Sequence, residues 1–233
     1  MIQLSNVTKQ YKSGTALKGL TLQIDQGQIY ALLGSNGAGK TTTINLLLGF
    51  LNPTSGEVTL DGLSPFKDRK AISKRVAYIP ENVSLYPYLT GVENLDYFCS
   101  LAGIKKSKQA LKEILTKCGL QSGAHTQKVA GYSKGMRQKV GIAIAYAKEA
   151  KVLLLDEPAS GLDPAASNEL TMLLKQLAKE GATILMASHD LFRVREISDR
   201  IGILKKGELV RELKAETVSA NELEKVYLDY MQA

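Results

Sequence analysis

The chain has 233 residues, 44% of them hydrophobic and 23% charged, with a formal net charge of +7. That length allows a sizeable core in one large domain, or one domain with a subdomain, and the composition excludes bulk disorder. No run approaches the ~18 apolar residues of a membrane span, and the opening residues lack the basic head and apolar stretch of a secretion signal, so a cytosolic setting is expected, with any membrane role arising through a partner.

Two cysteines, Cys99 and Cys118, are expected to be free, reduced and buried; neither histidine, His125 or His189, stands at metal-ligand spacing beside them. The positive charge is concentrated in the middle. Between Pro65 and Lys128 eleven Lys/Arg stand against five Asp/Glu. A solvated helical surface or a nearby anionic membrane explains this excess better than nucleic acid, because no recognition-helix pattern accompanies it.

In chain order, Ile2, Leu4 and Val7, then Leu20, Leu22 and Ile24, alternate with polar residues and predict short antiparallel strands. Gln28–Leu33 is an apolar strand that stops at Gly34, and a helix opens near Lys40 and runs to about Leu48. Residues 52–56, Asn-Pro-Thr-Ser-Gly, form a turn before a strand at Glu57–Leu60. Arg75–Ile79 is expected as a strand ending at Pro80, followed by an irregular stretch with exposed aromatics, Leu85 to Leu89. Thr90 and Glu93 have the spacing of a capping box for a helix reaching about Leu101. Further helices are expected near Ser107–Lys117 and from Lys134, the latter turning Ile142, Ala145 and Tyr146 inward. Lys151–Leu155 is an apolar strand, Pro164–Glu180 a helix, Thr183–Ser188 a buried strand, Gly202–Lys205 and Glu208–Val210 a hairpin, and Ala220–Gln232 a helix. Apolar strands alternating with helices predict an α/β fold with a predominantly parallel sheet, an N-terminal antiparallel β subdomain and a helical subdomain over about 81–150.

Two segments carry chemistry. Gly34, Ser35, Asn36, Gly37, Ala38, Gly39, Lys40 and Thr41 match the phosphate-loop pattern G-x-x-x-x-G-K-[ST] in full, with a strand before it and a helix, continuing through Thr42, after it. Glycines let successive backbone N–H groups curl into a nest for phosphate oxygens, and the helix points its positive N-terminus at the same anion. Lys40 supplies a charge for the β- and γ-phosphates and Thr41 a hydroxyl for Mg²⁺. Downstream, the apolar strand ends in two carboxylates: Asp156, placed to hold Mg²⁺ through water, and Glu157, placed to polarise an attacking water. His189 follows a buried strand, at the strand ends where ligands sit in open α/β sheets, and is a candidate γ-phosphate contact.

The order of these elements, with Tyr132-Ser133-Lys134-Gly135-Met136 between the helical insertion and the acidic strand and Ser160-Gly161-Leu162-Asp163 after it, resembles the ATP-binding cassette (ABC) family over essentially the whole chain. Residues 132–136 resemble the family's LSGGQ signature, with Ser133 and Gly135 kept and Tyr132, Lys134 and Met136 replacing Leu, Gly and Gln; such variants are similar to the branch of bacterial exporters for lipids, peptides, antibiotics or ions. Glu81 stands where the family usually has a Gln that reaches Mg²⁺ and the membrane subunit.

The resemblance implies an ATPase with ATP and Mg²⁺ as ligands, dimerising head to tail with a second nucleotide-binding domain, a homodimer being favoured. Each ATP would lie between the phosphate loop of one copy and Ser133 and Gly135 of the other. Tyr11 would stack on adenine, Asp163 arrange the dimer contact and His189 hold transition-state geometry. The partner would be an integral membrane transporter subunit at the cytoplasmic face, reached through Leu85, Tyr86 and Tyr88. A soluble ABC ATPase acting on DNA or ribosomes, a GTPase, and a binder that does not hydrolyse are the rivals. They are opposed respectively by the absence of coiled-coil insertions or a second cassette, the absence of an N-K-x-D element, and the presence of Glu157 and His189.

Overall fold

The computed structural model describes residues 1–232. Two sheets form it. A three-stranded antiparallel sheet, in the order β2-β1-β4, contains β1 (Ile2–Tyr11), β2 (Gly14–Ile24) and β4 (Ser55–Leu60). The strands predicted as short are ten and eleven residues long in β1 and β2. Register shifts in both pairings break the alternation in the sequence and hide their full length.

The second sheet has six strands in the order β5-β6-β7-β3-β8-β9, where β3 is Ile29–Leu33, β5 Val76–Ile79, β6 Val152–Asp156, β7 Thr183–Ser188, β8 Arg200–Lys205 and β9 Glu208–Lys214. The first five run parallel and β9 closes the edge antiparallel to β8. All five residues of β3 are buried. Ile29, Ala31 and Leu33 face one core, and Tyr30 and Leu32 face the other. A strand covered on both faces reads as an unbroken apolar run, which is why β3, β6 and β7 were visible in the sequence.

Helices cover the sheet. On one face α1 (Lys40–Leu47) shares a core with the antiparallel sheet. On the other, α3 (Gly91–Leu101), α4 (Lys108–Lys117) and α5 (Lys134–Ala147) pack on one another, and α6 (Pro164–Lys179), α7 (Leu191–Ile197) and α8 (Ala220–Gln232) complete the layer. Several helix starts have a side-chain cap. Thr90 and Glu93 make the expected reciprocal cap on α3, while Ser107, Ser133 and Asp163 accept from the third backbone N–H of α4, α5 and α6. Arg75, expected to open a strand, closes α2 (Arg69–Arg75) instead.

Candidate functional site

The parallel strands deliver their C-terminal ends to one edge of the sheet, and the candidate residues gather there. The turn after β3 is held by backbone geometry. A Cβ on Gly34 would stand 2.5 Å from the Leu204 carbonyl oxygen. Gly39 has φ +114°, and a Cβ there would meet the Ala16 carbonyl oxygen at 2.7 Å, so only glycine fits either position. The loop is tied from behind: the Gly207 N–H donates to the Ala38 carbonyl (2.9 Å), and Lys18 N–H donates to the Gly207 carbonyl (2.9 Å). The β8–β9 hairpin is thus a buttress for the loop.

Lys40 opens α1 and is buried, its ammonium donating to the Gly34 (2.6 Å) and Ser35 (3.3 Å) carbonyls. It also lies 3.6 Å from Glu157 Oε1. A buried ammonium needs hydrogen-bond partners, and the loop carbonyls supply them. The Thr41 hydroxyl donates to Asp156 Oδ2 at 3.2 Å. Burial pushes the Asp156 carboxyl above the usual range, assisted by the charges of Glu157 and Glu81 and opposed by the Thr41 hydrogen bond and Lys40.

Glu157 follows β6 with φ +47°, a left-handed conformation costing a non-glycine residue about 1 kcal/mol. Its backbone N–H donates to the Ala187 carbonyl at 2.9 Å, holding the strained turn. The carboxylate is largely enclosed and surrounded by donors. Oε2 accepts from the Ser188 hydroxyl and the His189 N–H, both at 3.3 Å, and Oε1 lies 2.9 Å from His189 Nδ1. The His189 ring itself is exposed.

Lys40, Thr41, Asp156 and Glu157 line one cleft of about 270 Å³ with Ser35, Asn36, Gly37, Gly39, Thr42 and Glu81, while His189 reaches it only through its contact with Glu157. Ala16 also lines it; nothing in its sequence surroundings signals this, because only the tertiary fold brings β2 to the loop. Tyr11, Ser133, Gly135 and Asp163 do not line it. Tyr11 sits at the β1–β2 turn, partly exposed, with the Lys9 ammonium 5.1 Å from its ring centre. Ser133 and Asp163 are exposed helix caps, and Gly135 is buried against the Ala166 methyl, which a Cβ would meet at 3.2 Å.

Glu81 connects the two regions. It lines the cleft, yet its Oε1 accepts from the Ser160 hydroxyl at 2.8 Å and lies 3.5 Å from the Lys134 ammonium. The Ser160 hydrogen bond, with Lys134 adding to it, holds this carboxyl below the usual range. Tyr132, in place of the family's Leu, is buried; its hydroxyl donates to the Ala124 carbonyl at 2.6 Å and packs directly over Gly91.

The donor set suits Mg²⁺. A hydroxyl and a carboxylate are already paired, with further carboxylates at the cleft, and no group of three or more His, Cys, Asp or Glu side chains forms a closed cage among the described residues. Mg²⁺ takes one or two carboxylates plus substrate phosphates and water rather than an all-protein cage.

Strand, glycine loop, buried lysine, helix and acidic strand end define an α/β phosphate-loop nucleotide hydrolase. The chain belongs to the ABC transporter family as an ATP-binding, ATP-hydrolysing domain: the family model described as ABC transporter matches residues 17–160. The bacitracin transport ATP-binding protein BcrA of Bacillus licheniformis is 41% identical over 215 residues, covering 91% of this chain and 69% of that protein. The linearmycin resistance ATP-binding protein LnrL of Bacillus subtilis (strain 168) is 34% identical over 212 residues, 90% of this chain and 68% of that one. Among solved structures, an ATP-binding subunit of an ABC transporter superposes with a TM-score of 0.84 at 29% identity, covering 97% of this chain and 99% of that one. A dimeric post-hydrolysis state of the cassette MJ0796 bound to ADP and Pi gives 0.81 at 31% identity, covering 92% and 99%.

Proposed function

We propose that this chain binds Mg-ATP at the Gly34–Thr41 loop, pairs head to tail with a second copy, and hydrolyses ATP to drive export through a separate integral membrane subunit at the cytoplasmic face of the membrane. The observation that carries this reading is the division of the site. Lys40, Thr41, Thr42, Glu81, Asp156 and Glu157 line one open cleft, while Ser133 and Gly135 stand outside it at the start of α5. A second copy supplying its α5 N-terminus would complete the cleft, and the dimeric MJ0796 cassette supports that arrangement. The Ser133 oxygen accepts the cap bond from Met136, which leaves its own O–H to donate to a phosphate. Asp163, an exposed cap beside it, is suited to the contact between copies, and Tyr11 to the adenine ring.

Within the cleft, Lys40 exchanges its carbonyl partners for the β- and γ-phosphates. Thr41, Asp156 and Glu81 would hold Mg²⁺, which would supply positive charge to neutralise the phosphates. Glu157, fixed by Ser188 and His189, takes the proton of the attacking water. His189, with Nδ1 engaged by Glu157, keeps its other ring nitrogen for the γ-phosphate.

Export is supported by the bacitracin transport and linearmycin resistance relatives. No helix among the described residues is long and apolar enough to cross a membrane, so the cargo path is assigned to a partner. Nucleic acid is not expected as one.

The test is to isolate the chain from membranes in mild detergent, as wild type and Glu157→Gln. The expected result is a co-isolated integral membrane protein and, for Glu157→Gln, an ATP-bound dimer with turnover reduced about 10²–10⁴-fold. Recovery with ribosomes or DNA alone would sink the transporter reading, and unreduced turnover would remove Glu157 from its role.

A further inference from the structure

Two residues that depart from the family pattern, Glu81 and Lys134, are in contact with each other. The Lys134 ammonium lies 3.5 Å from Glu81 Oε1, and both side chains are partly exposed. The contact is one of several that fasten Glu81 to α5 and its neighbourhood. The Gln138 side chain donates to the Glu81 carbonyl (3.0 Å) and the Pro80 carbonyl (3.3 Å), and the Ser160 hydroxyl donates to the same Oε1 at 2.8 Å. Charges in and around the cleft divide unevenly. Glu157 has Lys40 at 3.6 Å and His189 at 2.9 Å, Glu81 has Lys134, and Asp156 has, among the described residues, only the hydroxyl of Thr41 in hydrogen-bonding range of its side chain.

We propose that Lys134 is a positioning residue that competes with the divalent cation for Glu81, so that cation binding in the cleft and the state of the first turn of α5 are energetically linked. The proposal rests on the ATP-binding reading given above. One carboxylate has two cationic claimants: the lysine, which holds it toward α5, and a metal beside Thr41 and Asp156. A glycine at 134 would leave Glu81 to the metal alone, and a glutamine at 81 would leave nothing for the lysine to compete over. Linkage is reciprocal. An anion arriving at Ser133 and Gly135, on either side of Lys134, would draw off the ammonium and release Glu81 toward the cation. In a head-to-tail pair that anion is the phosphate chain held by the opposite copy, and each half-site thereby senses occupation of the other.

The experiment is a double-mutant cycle on the full chain, reading a fluorescent ATP analogue's binding as Mg²⁺ is titrated. Lys134→Gly is expected to lower the Mg²⁺ midpoint about 2- to 5-fold, the range of a partly exposed ion pair. Lys134→Gln, which keeps a side chain in the first helical turn, should do the same. Glu81→Gln is expected to raise the midpoint, and replacing Lys134 in that background should change it no further. Melting temperatures without nucleotide report whether each variant folds. An equal effect of the Lys134 change in both backgrounds, or none in either, would overturn the competition while leaving the ATP site intact. Absence of any Mg²⁺-dependent binding by the wild-type chain would overturn both.

Discussion

Asp156 carries a cost in the nucleotide-free chain. Its carboxyl is pushed up by burial and by two neighbouring carboxylates, so the folded state holds the proton more tightly than the unfolded state does. The sign follows from linkage: stability falls as pH rises from the ordinary Asp range through the raised value, and once ionised the group opposes folding. Asp156→Asn removes the charge and keeps an oxygen for the Thr41 hydroxyl. Because the group is half-exposed and screened, the gain is about 1 kcal/mol at most, worth roughly 2–4 °C in a chain of this size. Thermal melts across the weakly acidic range should show a higher Tm and a flatter pH response, alongside lost Mg²⁺-dependent hydrolysis; a lower Tm at neutral pH would contradict the argument. At this scale the sequence was legible wherever chemistry fixes spacing, as in Gly34–Thr41 and Asp156–Glu157. It was silent on Ala16 and on Ser160 as the donor to Glu81, because those contacts join distant segments.

Between β5 and α3 the chain forms an irregular loop held mainly by Asn94, a fully buried side chain on α3. Its oxygen accepts from the Tyr86 N–H (2.8 Å), and its amide donates to the Tyr86 and Thr90 carbonyls, both at 3.0 Å. The staple presents aromatic residues outward. Tyr88 is 82% exposed, while Tyr86 stacks edge-on against Tyr97 at 4.7 Å. Phe98 and Leu101 continue the surface into a groove that Lys148 also lines; burial lowers that lysine's pKa. A short helix of the membrane subunit is the proposed occupant. Tyr88→Asp is the clean probe, since the side chain packs little, and Tyr86→Asp the stronger one. Loss of an aromatic anchor costs ~2 kcal/mol or more in binding, about 30-fold. Transport should therefore fall while ATP binding by the chain holds, and undiminished transport in the double variant would remove this loop from the interface. The long helices were legible from caps and periodicity, whereas α2 and α7 were not. Each has seven residues, α2 buries only Ile72 and α7 only Val194 and Ile197, too few apolar positions to establish a period.

For the whole molecule, the alternation of apolar strands with helices was enough to recognise a parallel α/β sheet with helical cover, but strand order was beyond local pattern. The first strand of the large sheet, β3, lies between β7 and β8, and the buttress on its loop comes from Gly207, about 170 residues beyond Ala38. That connection has a consequence in time. At a synthesis rate of roughly 5–20 residues per second, the phosphate loop emerges about 10–30 s before the hairpin that braces it. For most of that interval the central strand has neither neighbour, β7 being made shortly before β8, and its unpaired apolar edges are open to other chains. Ribosome-bound chains arrested before β8 should therefore fail to retain a fluorescent nucleotide and should be protease-sensitive through β3, whereas chains arrested well past Gly207 should bind it. Nucleotide binding by the shorter chains would show that the loop assembles without its brace. A phosphate loop whose brace is made about 170 residues after it is expected to hold no ATP until that brace is in place, so that a partly made cassette does not hydrolyse ATP.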